Sequence, residues 1–129
     1  MIQHIRLSVT ITLILTCIFI FPSCRKEGPG GKAKVSGVVA HNGVAIPGAR
    51  VFIKYGATVS PGTDISQYDR DYACDGSGNY SISSLVQGNY FLYAEGYEVN
   101  SLGVTVKYKG GVAVSLTRKQ SKQQDIAIE

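Results

Sequence analysis

From Lys34 onward, apolar and polar residues alternate in short runs separated by turn-forming residues. Val35, Gly37 and Val39 alternate with Lys34, Ser36 and Val38 as far as His41-Asn42-Gly43, where Asn-Gly signals a tight reversal. After a second turn at Ile46-Pro47-Gly48, Ala49, Val51, Ile53 and Tyr55 alternate with Arg50, Phe52 and Lys54, the pattern of a half-buried strand. Gly56 to Asp64 reads as a loop, and Ile65 to Cys74 as at most an irregular strand. Asp75-Gly76-Ser77-Gly78-Asn79 then turns the chain into a short strand at Tyr80 and Ile82. Gly88-Asn89 leads into Tyr90, Leu92 and Ala94, a strand that Gly96 is expected to close. A further strand covers Leu102 to Lys109, Gly110-Gly111 is expected to reverse it, and Val112, Val114 and Leu116 form the next. Ile126 and Ile128 mark the last. Period-two patterning without a convincing 3.6-residue repeat predicts an all-β sandwich of seven to eight strands over residues 33–129.

The first segment has a different pattern. Residues 1–23 carry one cation, Arg6, no acidic residue and a predominantly apolar run from Leu7 to Phe21. That run has the length of a signal-peptide core and is short of the roughly 20 residues that a bilayer-spanning helix needs. It ends at Pro22-Ser23-Cys24 and is followed at once by Arg25-Lys26-Glu27. An apolar stretch, a small residue and then Cys resembles a bacterial lipoprotein signal, in which Cys24 would receive lipid and become the first mature residue; Pro22 departs from the small residue usual there. The alternative is an uncleaved anchor. Residues 24–32 contain no apolar side chain beyond Cys24 and are expected to form a flexible tether.

Composition narrows the function. The chain of 129 residues, 44% apolar and 17% charged, suits a single small domain, and its 15 glycines, all after residue 24, fit a turn-rich fold. The net charge of +4 and the absence of Trp give no sign of a nucleic-acid surface. Of three cysteines, Cys17 lies in the apolar run and Cys24 at the acylation position, so Cys74 has no intramolecular disulfide partner in the mature chain.

Several segments together resemble the carboxypeptidase-regulatory-like domain: Val35-Ser36-Gly37-Val38-Val39, Gly43 with Ile46-Pro47-Gly48-Ala49-Arg50-Val51, Asp75-Gly76-Ser77-Gly78-Asn79-Tyr80-Ser81-Ile82, and Leu85 with Gly88-Asn89-Tyr90-Phe91-Leu92. The resemblance covers about residues 33–95 and implies a transthyretin-like or immunoglobulin-like β-sandwich. The insert between Tyr55 and Asp75 departs from it.

Candidate chemistry is sparse. After residue 23 the only histidine is His41, whereas nucleophilic catalysis needs a positioned base and usually a group that orients it. Cys-x-x-Cys, phosphate-cradling and dinucleotide-binding motifs are absent, so no cofactor is expected. Asp64, Asp69, Asp71 and Asp75 could offer oxygen ligands to Ca²⁺, but local capping of turns by Asp accounts for them and no metal is expected. The expectation is a non-catalytic lipoprotein of the cell envelope, held by its lipid at a membrane, most simply the outer one, and serving as an interaction module for an envelope protein or glycan. The alternative is a carbohydrate-binding module of a glycan uptake system. If Val51, Ile53, Tyr90 and Leu92 face the core, the pleat turns Phe52, Phe91 and Tyr93 outward on one sheet. These rings then form either an exposed contact patch or a second small core covered by the last strand or by the 56–74 insert.

Overall fold

The structure, a computed structural model, describes residues 25–129. The signal region and Cys24 lie outside the described residues. Among the described residues there are nine strands: β1 Pro29–His41, β2 Val44–Ala45, β3 Arg50–Tyr55, β4 Arg70–Ala73, β5 Asn79–Leu85, β6 Gly88–Val99, β7 Thr105–Leu116, β8 Ser121–Gln123 and β9 Ile126–Ala127. They form two sheets. One has the order β4-β3-β6-β7, and the other is built around β1, with β2 and β5 antiparallel to it and β8 and β9 parallel. The two-residue hairpin between β1 and β2 pairs Ala40 with Ala45 and His41 with Val44. Asn42 and Gly43 at its tip both have positive φ, as the mirror-image turn requires.

The core follows the alternation. Val35 and Val39 of β1, Val51 and Ile53 of β3, Ile82 of β5, Tyr90 and Leu92 of β6, and Ile126 with Ile128 at the C-terminus are fully or almost fully buried between the sheets. Every side chain of this cluster lies between Ala33 and Ile128. Strands β3 and β6 are neighbours in register, Phe52 opposite Tyr93 and Ile53 opposite Leu92, as the outward placement of the rings demands.

Four local expectations are corrected. Gly96 does not close a strand, because β6 continues through it to Val99. Gly110-Gly111 does not reverse the chain, because both lie inside the twelve-residue β7. At each of the three a Cβ would come within 3 Å of another residue: Ile46 for Gly96, the Ala127 carbonyl for Gly110 and the Phe91 ring for Gly111. They are spacers where neighbours press on the strand. The 24–32 tether is also partly absorbed into the domain. β1 begins at Pro29, the Gly28 N–H donates to the Tyr90 hydroxyl at 2.9 Å, and the Val86 N–H donates to the Gly28 carbonyl at 2.8 Å. A stretch without apolar side chains still carries backbone donors and acceptors, and here Val86, just after β5, and Tyr90 of β6 take them up. Finally, the 56–74 segment is regular in part, with a 3-10 turn at Ile65–Gln67 and the edge strand β4.

Candidate functional site

The outer face of the four-stranded sheet carries Phe52 from β3 with Phe91 and Tyr93 from β6. These side chains are 7%, 8% and 4% exposed, so the three rings are a second small core and not an open contact patch. Ala57 and Tyr68 cover them. Tyr68 stacks on Tyr93 with ring centres 5.4 Å apart, and Phe52 lies tilted against both at 6.0 and 5.9 Å. Polar side chains buckle the insert into this position. Asp64 caps the 3-10 turn by accepting the Ser66 N–H at 3.0 Å, and the Ser66 bonds hold its carboxyl below the usual range. The Tyr68 hydroxyl donates to the Gly62 carbonyl at 2.7 Å. Asp69 accepts the Tyr55 N–H at 2.7 Å and faces Lys54 Nζ at 3.6 Å, which ties the end of the loop to β3.

Beside this covered patch lies a groove of about 710 Å³, lined among others by Arg50, Ile65, Tyr68, Asp71, Glu95 and Tyr97. It draws on β3, β4, β6 and the insert. The strand β6 presents Phe91, Tyr93, Glu95 and Tyr97 on one face; the first two are buried, whereas Tyr97 is 59% exposed and forms an aromatic ledge. Arg50 pairs with Asp71 across β3 and β4. Glu95, largely buried, accepts the Tyr93 hydroxyl and the Lys107 ammonium, each at 2.9 Å. Burial and the adjacent Glu95 carboxylate push the Tyr93 phenol well above its ordinary pKa, and the same carboxylate raises that of Lys107. The groove therefore joins an exposed ring to paired donors and acceptors of both signs.

The other candidate residues have local structural partners. The His41 ring stacks on Tyr108 at 3.8 Å, and its Nδ1 lies 2.8 Å from the Ile128 carbonyl, which binds the end of β1 to the C-terminal segment. Cys74 is buried, and burial raises its thiol to about 11. The aspartates do not converge. Asp75 accepts the Ser77 and Asn79 N–H groups at 2.8 and 2.9 Å within its own turn, Asp71 is held by Arg50, and Asp69 serves β3. Among the described residues no group of three or more His, Cys, Asp or Glu is placed to hold a metal ion. Tyr68, Glu95 and Tyr97 are the groove residues that sequence reasoning missed, whereas from the sequence Arg50 and Asp71 read only as an outward strand residue and as part of an acidic loop. Continuing the alternation of Phe91 and Tyr93 through Gly96 would have placed Glu95 and Tyr97 on the same face.

Two packed sheets with a covered outer face define the class of the domain: a β-sandwich. The chain shares this fold with a candidate carbohydrate-binding protein from Pseudomonas aeruginosa, at a TM-score of 0.58 and 13% identity over 84% of this chain and 97% of that one. It shares it also with the major pilin subunit of Bacillus cereus, at 0.59 and 15% identity over 77% of this chain but only 30% of the pilin. At these identities the likeness is one of fold. No protein-family profile and no curated protein sequence matches the chain.

Proposed function

We propose that this chain is a lipid-anchored accessory protein of the cell envelope, a non-catalytic sandwich of the carboxypeptidase-regulatory-like kind, whose outer groove binds an uncharged carbohydrate. The observation that carries the reading is the groove beside Tyr68 and Tyr97. A pyranose ring has an apolar C–H face that an exposed aromatic side chain can cover, while its hydroxyls need a few fixed donors and acceptors. Tyr97 offers the first, and Arg50, Asp71 and Glu95 offer the second. Because the cations Arg50 and Arg70 are matched in the lining by the carboxylates of Asp69, Asp71 and Glu95, the groove has no excess positive charge with which to select an anionic glycan. The shared fold with a candidate carbohydrate-binding protein is in keeping with this.

Affinity electrophoresis of residues 24–129, with Cys24→Ser, through gels containing neutral polysaccharides tests the proposal. At least one glycan should retard the protein, and Tyr97→Ala should weaken that interaction about tenfold or more, as removal of an aromatic anchor does. Because Tyr97 is exposed, the melting temperature should stay unchanged. Retardation by none of the polysaccharides would leave a protein partner as the better reading.

Anchoring has its own test. In the native host, fatty-acid label should enter the wild-type protein and not Cys24→Ser. Equal labelling of the two would remove Cys24 as the lipid site.

A further inference from the structure

A second cavity, of about 540 Å³, opens at the end of the sandwich where β1 begins. Four cations, Arg25, Lys32, Arg118 and Lys119, stand around it with Val86 and neighbouring backbone, and no acidic side chain lines it. Among the described residues, the ion pairs involve Arg50, Lys54 and Lys107, so no carboxylate engages any of these four. Like charges gathered without a counter-charge repel one another, and an anion relieves that repulsion. The backbone adds an independent sign. Lys119 has φ of +61°, a conformation that Gly or Asn adopts at lower cost, in a turn where the Gln120 N–H donates to the Thr117 carbonyl at 3.1 Å. Backbone strain of this kind concentrates at functional sites.

The cavity also lies beside the membrane-directed end of the chain. Arg25 lines it, and on the lipid-anchored reading Cys24, which would carry the acyl chains, is the residue directly before it. A single extended residue spans at most about 3.6 Å, so the lipid would hold the cavity at the membrane surface. We propose that this basic cavity is the face on which the domain rests against the bilayer, with the phosphate of an anionic lipid headgroup as its ligand. The proposal rests on the membrane-anchored reading above. It assigns the two cavities different ligands, a neutral one in the groove and an anionic one here.

The test uses residues 24–129 with Cys24→Ser, which carries no acyl chain, so vesicle binding reads the headgroup contact alone. The protein should co-sediment with vesicles containing phosphatidylglycerol, not with pure phosphatidylcholine, and should be released by high salt. Each cation near the surface contributes a factor of about five, so Arg118→Gln with Lys119→Gly should weaken binding about 25-fold. A variant with Lys54→Gln and Lys109→Gln, which has the same net charge, should bind as wild type. Lys119→Gly alone should bind less while melting no lower than wild type, because glycine accepts positive φ. That pairing separates loss of contact from loss of fold. Equal binding to both vesicle types, or wild-type affinity in the Arg118/Lys119 variant, would overturn the proposal. Retention by an anionic polysaccharide with no vesicle binding would also overturn it and reassign the cavity to such a glycan. None of these outcomes depends on acylation, which fatty-acid labelling reports separately.

Discussion

Replacing Phe91 and Tyr93 together with Ser is expected to bring the domain close to unfolding at room temperature. Both rings are buried in the cluster that Ala57 and Tyr68 cover, and Phe91 lies over Gly111, where a Cβ would come within 2.6 Å of the ring. Removing one large buried aromatic typically costs about 3–5 kcal/mol. The two losses are not additive, since Phe91 and Tyr93 belong to one cluster, but together they are of the order of the 5–15 kcal/mol that holds an ordinary domain folded. Tyr68 would lose its stacking partner and Glu95 the Tyr93 hydroxyl, so the insert should loosen and the groove should deform with it. Urea unfolding followed by circular dichroism reads the effect as a large drop in midpoint. A change within about 0.5 kcal/mol would mean that the rings behave as ordinary surface residues and that the insert does not hold them down.

The second large effect is expected at a glycine. A Cβ at Gly37 would stand 2.2 Å from the Gln124 carbonyl oxygen, and one at Gly110 would stand 2.1 Å from that of Ala127. Gly37 is in β1 and Gly110 in β7, so the two sheets close on the same C-terminal segment from either side. That segment is bonded to both. The Gln124 N–H donates to Ser36 at 2.8 Å and the Ile128 N–H to Ala40 at 2.9 Å, while Lys109 and Glu129 exchange two backbone bonds. Gly37→Val should expel it, exposing Ile126 and Ile128 at about 1.5–3 kcal/mol each and freeing Tyr80, whose hydroxyl donates to Gln124. Trypsin should then cut the variant at Lys119 or Lys122 far faster than the wild type, with a lower urea midpoint. An unchanged midpoint and an intact C-terminus would show that β8 and β9 contribute little.

Facing was legible along most of the chain. Val51 and Ile53 point inward and Phe52 outward, Tyr90 and Leu92 inward and Phe91 and Tyr93 outward, and Ile126 and Ile128 are core residues. Alternation is a property of the extended backbone itself, so it can be read wherever a strand is recognised. The reversal at Asn42-Gly43 was legible for the same kind of reason, because positive φ at two successive residues is a local demand that Asn and Gly meet. The sites were hardly legible. The contact patch expected at Phe52, Phe91 and Tyr93 became a floor, and the open surface moved to Tyr97 and its neighbours.

The period, the class of fold and the face on which most strand residues lie follow from the residue pattern alone, since each depends on residues a few positions apart. Which glycines turn the chain and which make room for a neighbour depends on how distant segments pack. Gly43 needs its φ, whereas Gly37 and Gly110 need the absence of a Cβ because Gln124 and Ala127 arrive from the far end of the chain. The same holds for the cavities. Arg50, Asp71, Glu95 and Tyr97 meet only because β4 pairs with β3 and β3 with β6, and Arg25 and Lys32 meet Arg118 and Lys119 only because β8 lies parallel to β1. Contacts between residues so distant in the chain leave no local pattern, because they are selected by the packing of whole sheets.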